Sequence, residues 1–209
     1  LLNGAMAQAP FDVVSDFLRG MQGTMLDMFR QPDKLVEACE RLCSQITSTT
    51  ISTAKRSGNP RVFMPLHRGA HGFMSNEQFE TFYWPGLKAL MMGLIDAGLT
   101  PCPFFEGHYD QRLEYLKELP AGKVVGMFDR TDLFKAKEVI GDTMCILGGM
   151  PLSLLQTGTP EQVREHTKKI IDEVGKDGGF IMGSNTILDE AKSELVKAWM
   201  DATMEYGQY

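Results

Sequence analysis

The chain has 209 residues, 43% of them hydrophobic and 23% charged, with a formal net charge of −6. That is enough apolar material for one sizeable core and too much for a disordered chain. No run of about 18 apolar residues is present, which excludes a membrane-spanning helix, and the acidic balance excludes a non-specific nucleic-acid binder.

The sequence opens on Leu1-Leu2 with no signal-peptide pattern, and reads as one domain over residues 1–209 whose N-terminal part is missing. Phe11 to about Arg30 carries apolar residues at helical spacing. Asp33 is placed to cap the next helix, which stops at Gly58. Arg61 to Pro65 is a short buried strand, followed by the loop LHRGAHGFMS. Ser75 or Asn76 caps a long helix, kinked or broken at Pro85 and ended by Gly98. Then comes a regular alternation. Strands are expected over 100–105, 123–128, 144–147 and 178–182. Helices are expected over 110–119 and 132–140, from Thr159 with Pro160 at its first position, and from about Asp189 to Tyr206. His166 falls inside one of these helices and is expected to face solvent. The cysteines, at 39, 43, 102 and 145, match no common zinc or redox spacing and read as free buried thiols of a cytoplasmic protein. The 14 methionines read mainly as core filler.

Strands alternating with helices imply βαβ units and a parallel sheet. Five units fit a (β/α)8 barrel lacking three N-terminal ones; an open doubly wound sheet is the alternative. No glycine-rich nucleotide fingerprint follows any strand.

In a barrel the chemistry collects at the C-terminal strand ends. His67, Arg68 and His71 follow the first predicted strand. Glu106, His108, Tyr109 and Asp110 follow the second, and Asp129, Arg130 and Asp132 the third. Ser184, Asn185 and Thr186 follow the last. Glu106 and His108, two apart, share a face if the backbone stays extended. With His67 they would give three protein ligands and an open position, the pattern of a catalytic zinc. Equally, His108 is a surface residue and Glu106 pairs with Arg68 or Arg112. Asp132 is best explained as a helix cap. Asp129 then remains for a substrate contact, or for pairing with Arg130 or a loop amide.

The order of these pieces resembles the uroporphyrinogen decarboxylase superfamily, which also holds methylcobalamin:coenzyme M methyltransferases. Ala9-Pro10-Phe11 is similar to its "GAPFTL" entry, and Gly126-Met127-Phe128-Asp129 to its "GLDW" strand. Lys135 to Gly141 is similar to its "KKARE…G" helix. Leu147 to Pro151 resembles the "GNLDP" turn, and Leu154-Leu155 with Gly158 to Val163 resembles "LL.GTPEEV". The resemblance implies a TIM barrel whose first strands precede Leu1. Two departures bear on function. Gly183-Ser184-Asn185 stands where the decarboxylases have Gly-His-Gly, and His67 stands at their loop serine. The methyltransferases' His-x-Cys zinc pair is replaced by Phe104 and Glu106, and their distal Cys by Ser184 or Asn185.

The resemblance therefore implies first a corrinoid-dependent methyltransferase, moving a methyl group between a methylcorrinoid protein and a thiol or pterin acceptor. Glu106 and His67 are its catalytic residues, and zinc is held by His67, Glu106 and His108. Asp129, Asn185, Arg68 and Tyr109 contact the substrate. A tetrapyrrole decarboxylase and a non-catalytic corrinoid- or tetrapyrrole-binding scaffold are the alternatives. Five of eight units leave open sheet edges, so a homodimer is expected.

Overall fold

Six parallel strands, one more than the periodicity predicts, form the sheet of the computed structural model, which describes residues 2–208. The additional strand, β1 (Ala5–Met6), has two residues and is too short to show alternation. β2 (Arg61–Leu66), β3 (Thr100–Phe105), β4 (Val125–Phe128), β5 (Cys145–Met150) and β6 (Phe180–Ser184) follow at the expected places. Their spatial order is their chain order, β1-β2-β3-β4-β5-β6. A parallel sheet that never reverses its order, wound right-handed, keeps every crossover on one face. This is the winding of a barrel wall and excludes the doubly wound alternative. Among the described residues, β1 and β6 are open edges.

The two faces of the sheet differ accordingly. In β2, Val62, Met64 and Leu66 have no exposed surface and join Leu87, Leu90 and Leu94 of α5 (Trp84–Asp96) in the main core. Phe63 and Pro65 point the other way and are half-buried. Parallel register sets Pro65, Phe104, Met127, Leu147 and Ile181 side by side across five strands. This apolar row lines the inner face. A smaller core of Met150, Leu155, Val163, Leu195 and Trp199 joins β5 to α8 (Leu152–Thr157), α9 (Pro160–Glu173) and α10 (Ser193–Tyr206).

Several boundaries differ from the predicted ones for local reasons. The first helix is broken. α1 (Pro10–Val13) runs into a π-helical turn (Val14–Leu18), and Gly20, at φ +77°, separates that from α2 (Met21–Arg30). Asp33 does not cap. α3 (Pro32–Ser57) starts on Pro32 and holds Asp33 in its first turn, where a carboxylate still favours the helix dipole. Ser75 does cap, with Gln78 returning the bond to its backbone, at the start of α4 (Asn76–Gln78). The irregularity expected at Pro85 appears as a π-helical turn over Phe79–Tyr83, just before α5. α6 (Leu113–Leu116) is shorter than predicted, and α10 begins at Ser193 rather than near Asp189. Asp132 caps α7 (Leu133–Ile140), and Thr159 caps α9 with Pro160 behind it, as the sequence indicates. His166 is the clearest reversal. It turns inward, its Nε2 2.6 Å from the Gly149 carbonyl oxygen. All four cysteines are free.

Candidate functional site

The chain leaves β1 and enters α1 within three residues. Helical spacing then sets Asp12 and Asp16 on one side of this turn, toward the loop that follows β2. Asp12 is fully buried. Its Oδ2 accepts the His67 N–H at 3.0 Å and the Tyr83 hydroxyl at 2.7 Å, and its Oδ1 accepts the Arg68 N–H at 3.0 Å. Asp16 takes the two side chains. Its Oδ2 is 2.5 Å from His67 Nδ1, and its Oδ1 accepts from Arg68 Nη2 at 2.8 Å.

The rest of this loop is held from the opposite side by Arg112, which is also fully buried. Its guanidinium donates to the Met74 carbonyl at 2.8 Å, the Ser75 carbonyl at 3.3 Å and the Asn76 side chain. It lies over the Phe79 ring, 4.6 Å from the centroid. One buried anion thus collects the loop's N–H groups and one buried cation its C=O groups. Unpaired, each of those groups would cost about 1–3 kcal/mol.

Glu106 follows β3. It joins Phe63, Pro65, Phe104, Met127, Leu147 and Ile181 in lining a cavity of about 500 Å³, with Ser184 and Thr186 on the β6 side. Glu106 is the one ionisable residue of this lining. Leu66 and Phe105 are register partners, so His67 and Glu106 are the next residues on adjacent strands.

Burial decides the electrostatics. It pushes Asp12 up to about 6 against three hydrogen bonds that favour its charge. Burial raises Glu106 as well; the charge of Asp129 adds to this and that of His67 opposes it. Asp16 moves the other way. Burial would raise it, but hydrogen bonds from His67 and Ser15 and the charge of Arg68 together hold it below the usual carboxylate range. The free thiols are unsuited to nucleophilic work, since burial pushes Cys39 up to about 12.

The predicted zinc set of His67, Glu106 and His108 is not assembled. Among the described residues, no three His, Cys, Asp or Glu side chains converge as a metal-binding group. The strand ends at Phe105, and Gly107 turns the backbone at φ +83°, so Glu106 and His108 do not share a face. His108 is exposed and sits 3.7 Å from Asp110, while Asp16 occupies His67 Nδ1. These residues do not fit zinc. Tyr109 is also corrected as a substrate contact. It has no exposed surface and packs edge-on against Phe105. Asp129 Oδ2 accepts the Gly107 N–H at 3.1 Å, and Asn185 Oδ1 accepts the Gly149 N–H at 2.7 Å, so both hold backbone. Sequence reasoning missed Asp12, Asp16 and Arg112 as members of the site. The only trace of them in the sequence is two acids four apart in a predicted helix, which an ordinary amphipathic helix also shows.

The family model described as uroporphyrinogen decarboxylase matches residues 3–206. A uroporphyrinogen decarboxylase of Syntrophotalea carbinolica is 24% identical over 203 residues, covering 96% of this chain and 58% of its own length. One of Flavobacterium johnsoniae is 26% identical over 173 residues, covering 82% and 49%. The solved structure of a methyltransferase from Methanosarcina mazei superposes with a TM-score of 0.72 at 15% identity, over 97% of this chain and 58% of that one. The chain therefore spans about half to three-fifths of the length of the proteins it matches.

Proposed function

The chain belongs to the uroporphyrinogen decarboxylase family, and on that premise we propose that its site receives a small, largely apolar methyl acceptor in a corrinoid-linked methyl transfer. The observation that carries this reading is the cavity lining, which is mostly apolar, with two hydroxyls (Ser184 and Thr186), Glu106 as its one ionisable residue and no Lys, Arg or His. A porphyrinogen carries several carboxylates and needs several cationic anchors. Of the nearby cations, Arg68 is committed to Asp16 at 2.8 Å and Arg130 lies 3.8 Å from Asp129. A lining without such anchors favours a small acceptor over a polycarboxylate.

A methylcorrinoid, brought by a partner protein, supplies an electrophilic methyl group. The chain's own residues do the rest. The apolar row excludes water from the acceptor. Glu106 takes the proton from the acceptor's S–H or N–H as its lone pair bonds to the methyl carbon. The electron pair of the broken methyl bond stays with the donor. Burial of Glu106 brings its proton affinity closer to that of the acceptor, which favours this exchange. Pairing of two copies along the open edges β1 and β6 belongs to the same proposal, and sizing chromatography distinguishes that homodimer from a monomer.

The test is anaerobic demethylation of methylcobalamin by this chain, with thiol and tetrahydropterin acceptors, followed by absorbance. Transfer is expected, and Glu106→Gln is expected to lose on the order of 100-fold of kcat. Absence of transfer together with carbon dioxide release from uroporphyrinogen overturns the reading. The names of both curated relatives favour that second activity.

A further inference from the structure

No step above uses Asp16, yet it makes as many hydrogen bonds as the buried Asp12. Its Oδ1 accepts from Arg68 Nη2 at 2.8 Å and from Ser15 Oγ at 3.0 Å, and its Oδ2 meets His67 Nδ1 at 2.5 Å. An ionised carboxylate only accepts, so the proton between it and the ring sits on Nδ1. When the ring is neutral, Nε2 then carries the lone pair. Among the described residues Nε2 has no hydrogen-bond partner. The backbone beneath the ring is fixed independently, because Asp12 accepts the N–H groups of both His67 and Arg68. Arg68 in turn keeps the carboxylate from rotating away.

We infer that Asp16 is a positioning residue that holds His67 in its Nδ1–H tautomer and keeps Nε2 as an open proton acceptor next to Glu106. The proton that Glu106 takes from an acceptor then has an onward station, moving from the Glu106 carboxyl to the lone pair of His67 Nε2 and leaving Glu106 ionised for the next turnover. This role rests on the methyl-transfer reading only for its use, not for its geometry.

The experiment is ¹⁵N-histidine NMR of the whole chain above the pH at which the rings lose their second proton. His67→Gln identifies the His67 signals among those of the four histidines. The wild-type ring is expected to show a protonated Nδ1 and a bare Nε2. Asp16→Ala is expected to shift it to the Nε2–H form that free imidazole prefers, and Asp16→Asn, which retains an acceptor oxygen, to keep most of the Nδ1–H form. The signals of His71, His108 and His166 report whether each variant is folded. A wild-type ring protonated on Nε2 overturns the inference, and this needs no variant to fold. So does an Asp16→Ala chain that is folded and unchanged in tautomer. In the methyl-transfer assay, Asp16→Ala is expected to lose on the order of 10-fold of kcat with little change in KM. The expected tautomer in a wild-type chain that transfers no methyl group and releases carbon dioxide from uroporphyrinogen supports this inference and overturns the methyl-transfer reading.

Discussion

At the ends of β1, β2 and β3 the loops are fixed by buried charge, whereas at the ends of β5 and β6 they are fixed by an amide and a ring nitrogen. Asp12 and Arg112, both without exposed surface, divide the polar groups of one loop between them. Across the cavity, Asn185 accepts the Gly149 N–H and His166 meets the Gly149 carbonyl, with no ion involved. Burying a charge is expensive unless hydrogen bonds replace its water. The first region meets that cost and holds His67, Arg68 and Glu106. The second avoids it and supplies mostly apolar wall. On the proposed function, the β1–β3 side carries the chemistry and the β5–β6 side the shape.

Breaking the charged side has the largest expected effect. Arg112→Met strips the donor from the Met74 and Ser75 carbonyls and the Asn76 side chain. It is expected to cost about 4 kcal/mol in urea unfolding. A loss below about 1 kcal/mol contradicts the clamp.

Asp12 sharpens the comparison through pH. Its carboxyl is raised from 3.8 to about 6 in the folded chain. A folded-state value above the unfolded one gives a stabilising contribution that is complete below pH 3.8 and lost as pH rises through about 6. Relative to the neutral Asp12→Asn variant, the wild type is expected to lose about 2 kcal/mol between pH 4 and 7. Urea midpoints of both proteins across that range measure it, and a constant difference refutes it.

Gly69 tests the packing under the same loop. A Cβ there lies 2.5 Å from Tyr83 Cε1 and 2.6 Å from Tyr109 Oη, on two rings with almost no room to move. Gly69→Ala is expected to destabilise by about 2 kcal/mol and to broaden the His67 NMR signals. The smallest effect belongs to the uncharged side. Asn185→Ala removes one acceptor from the Gly149 N–H and is expected to cost about 1 kcal/mol. If it exceeds Arg112→Met, the contrast between the two regions is wrong.

The barrel-type winding was legible because each βαβ unit carries its own signals, such as Thr159-Pro160 and Asp132 at helix starts. The two-residue β1 was not, since two positions show no period. Glu106 and His67 were readable as mouth residues from their places after strands. Their neighbours were not. Asp12 and Asp16 looked like polar positions of an ordinary amphipathic helix, and only the fold brings them to residues more than 50 positions away. The zinc set did not assemble because the alternation argument needs extended backbone, which Gly107 leaves, and because Asp16 occupies His67 Nδ1. His166 was misjudged because charged neighbours in sequence say nothing about the carbonyl that its ring reaches.

The central claim is that an apolar, cation-free cavity beside Glu106 selects an uncharged ligand over a polyanion. Isothermal titration of the wild-type chain with a tetrahydropterin and, separately, with uroporphyrin tests it directly. Heat of binding from the pterin, reduced in Glu106→Gln, and none from the polycarboxylate is the result this account requires. Saturable binding of the polycarboxylate with none of the pterin contradicts it.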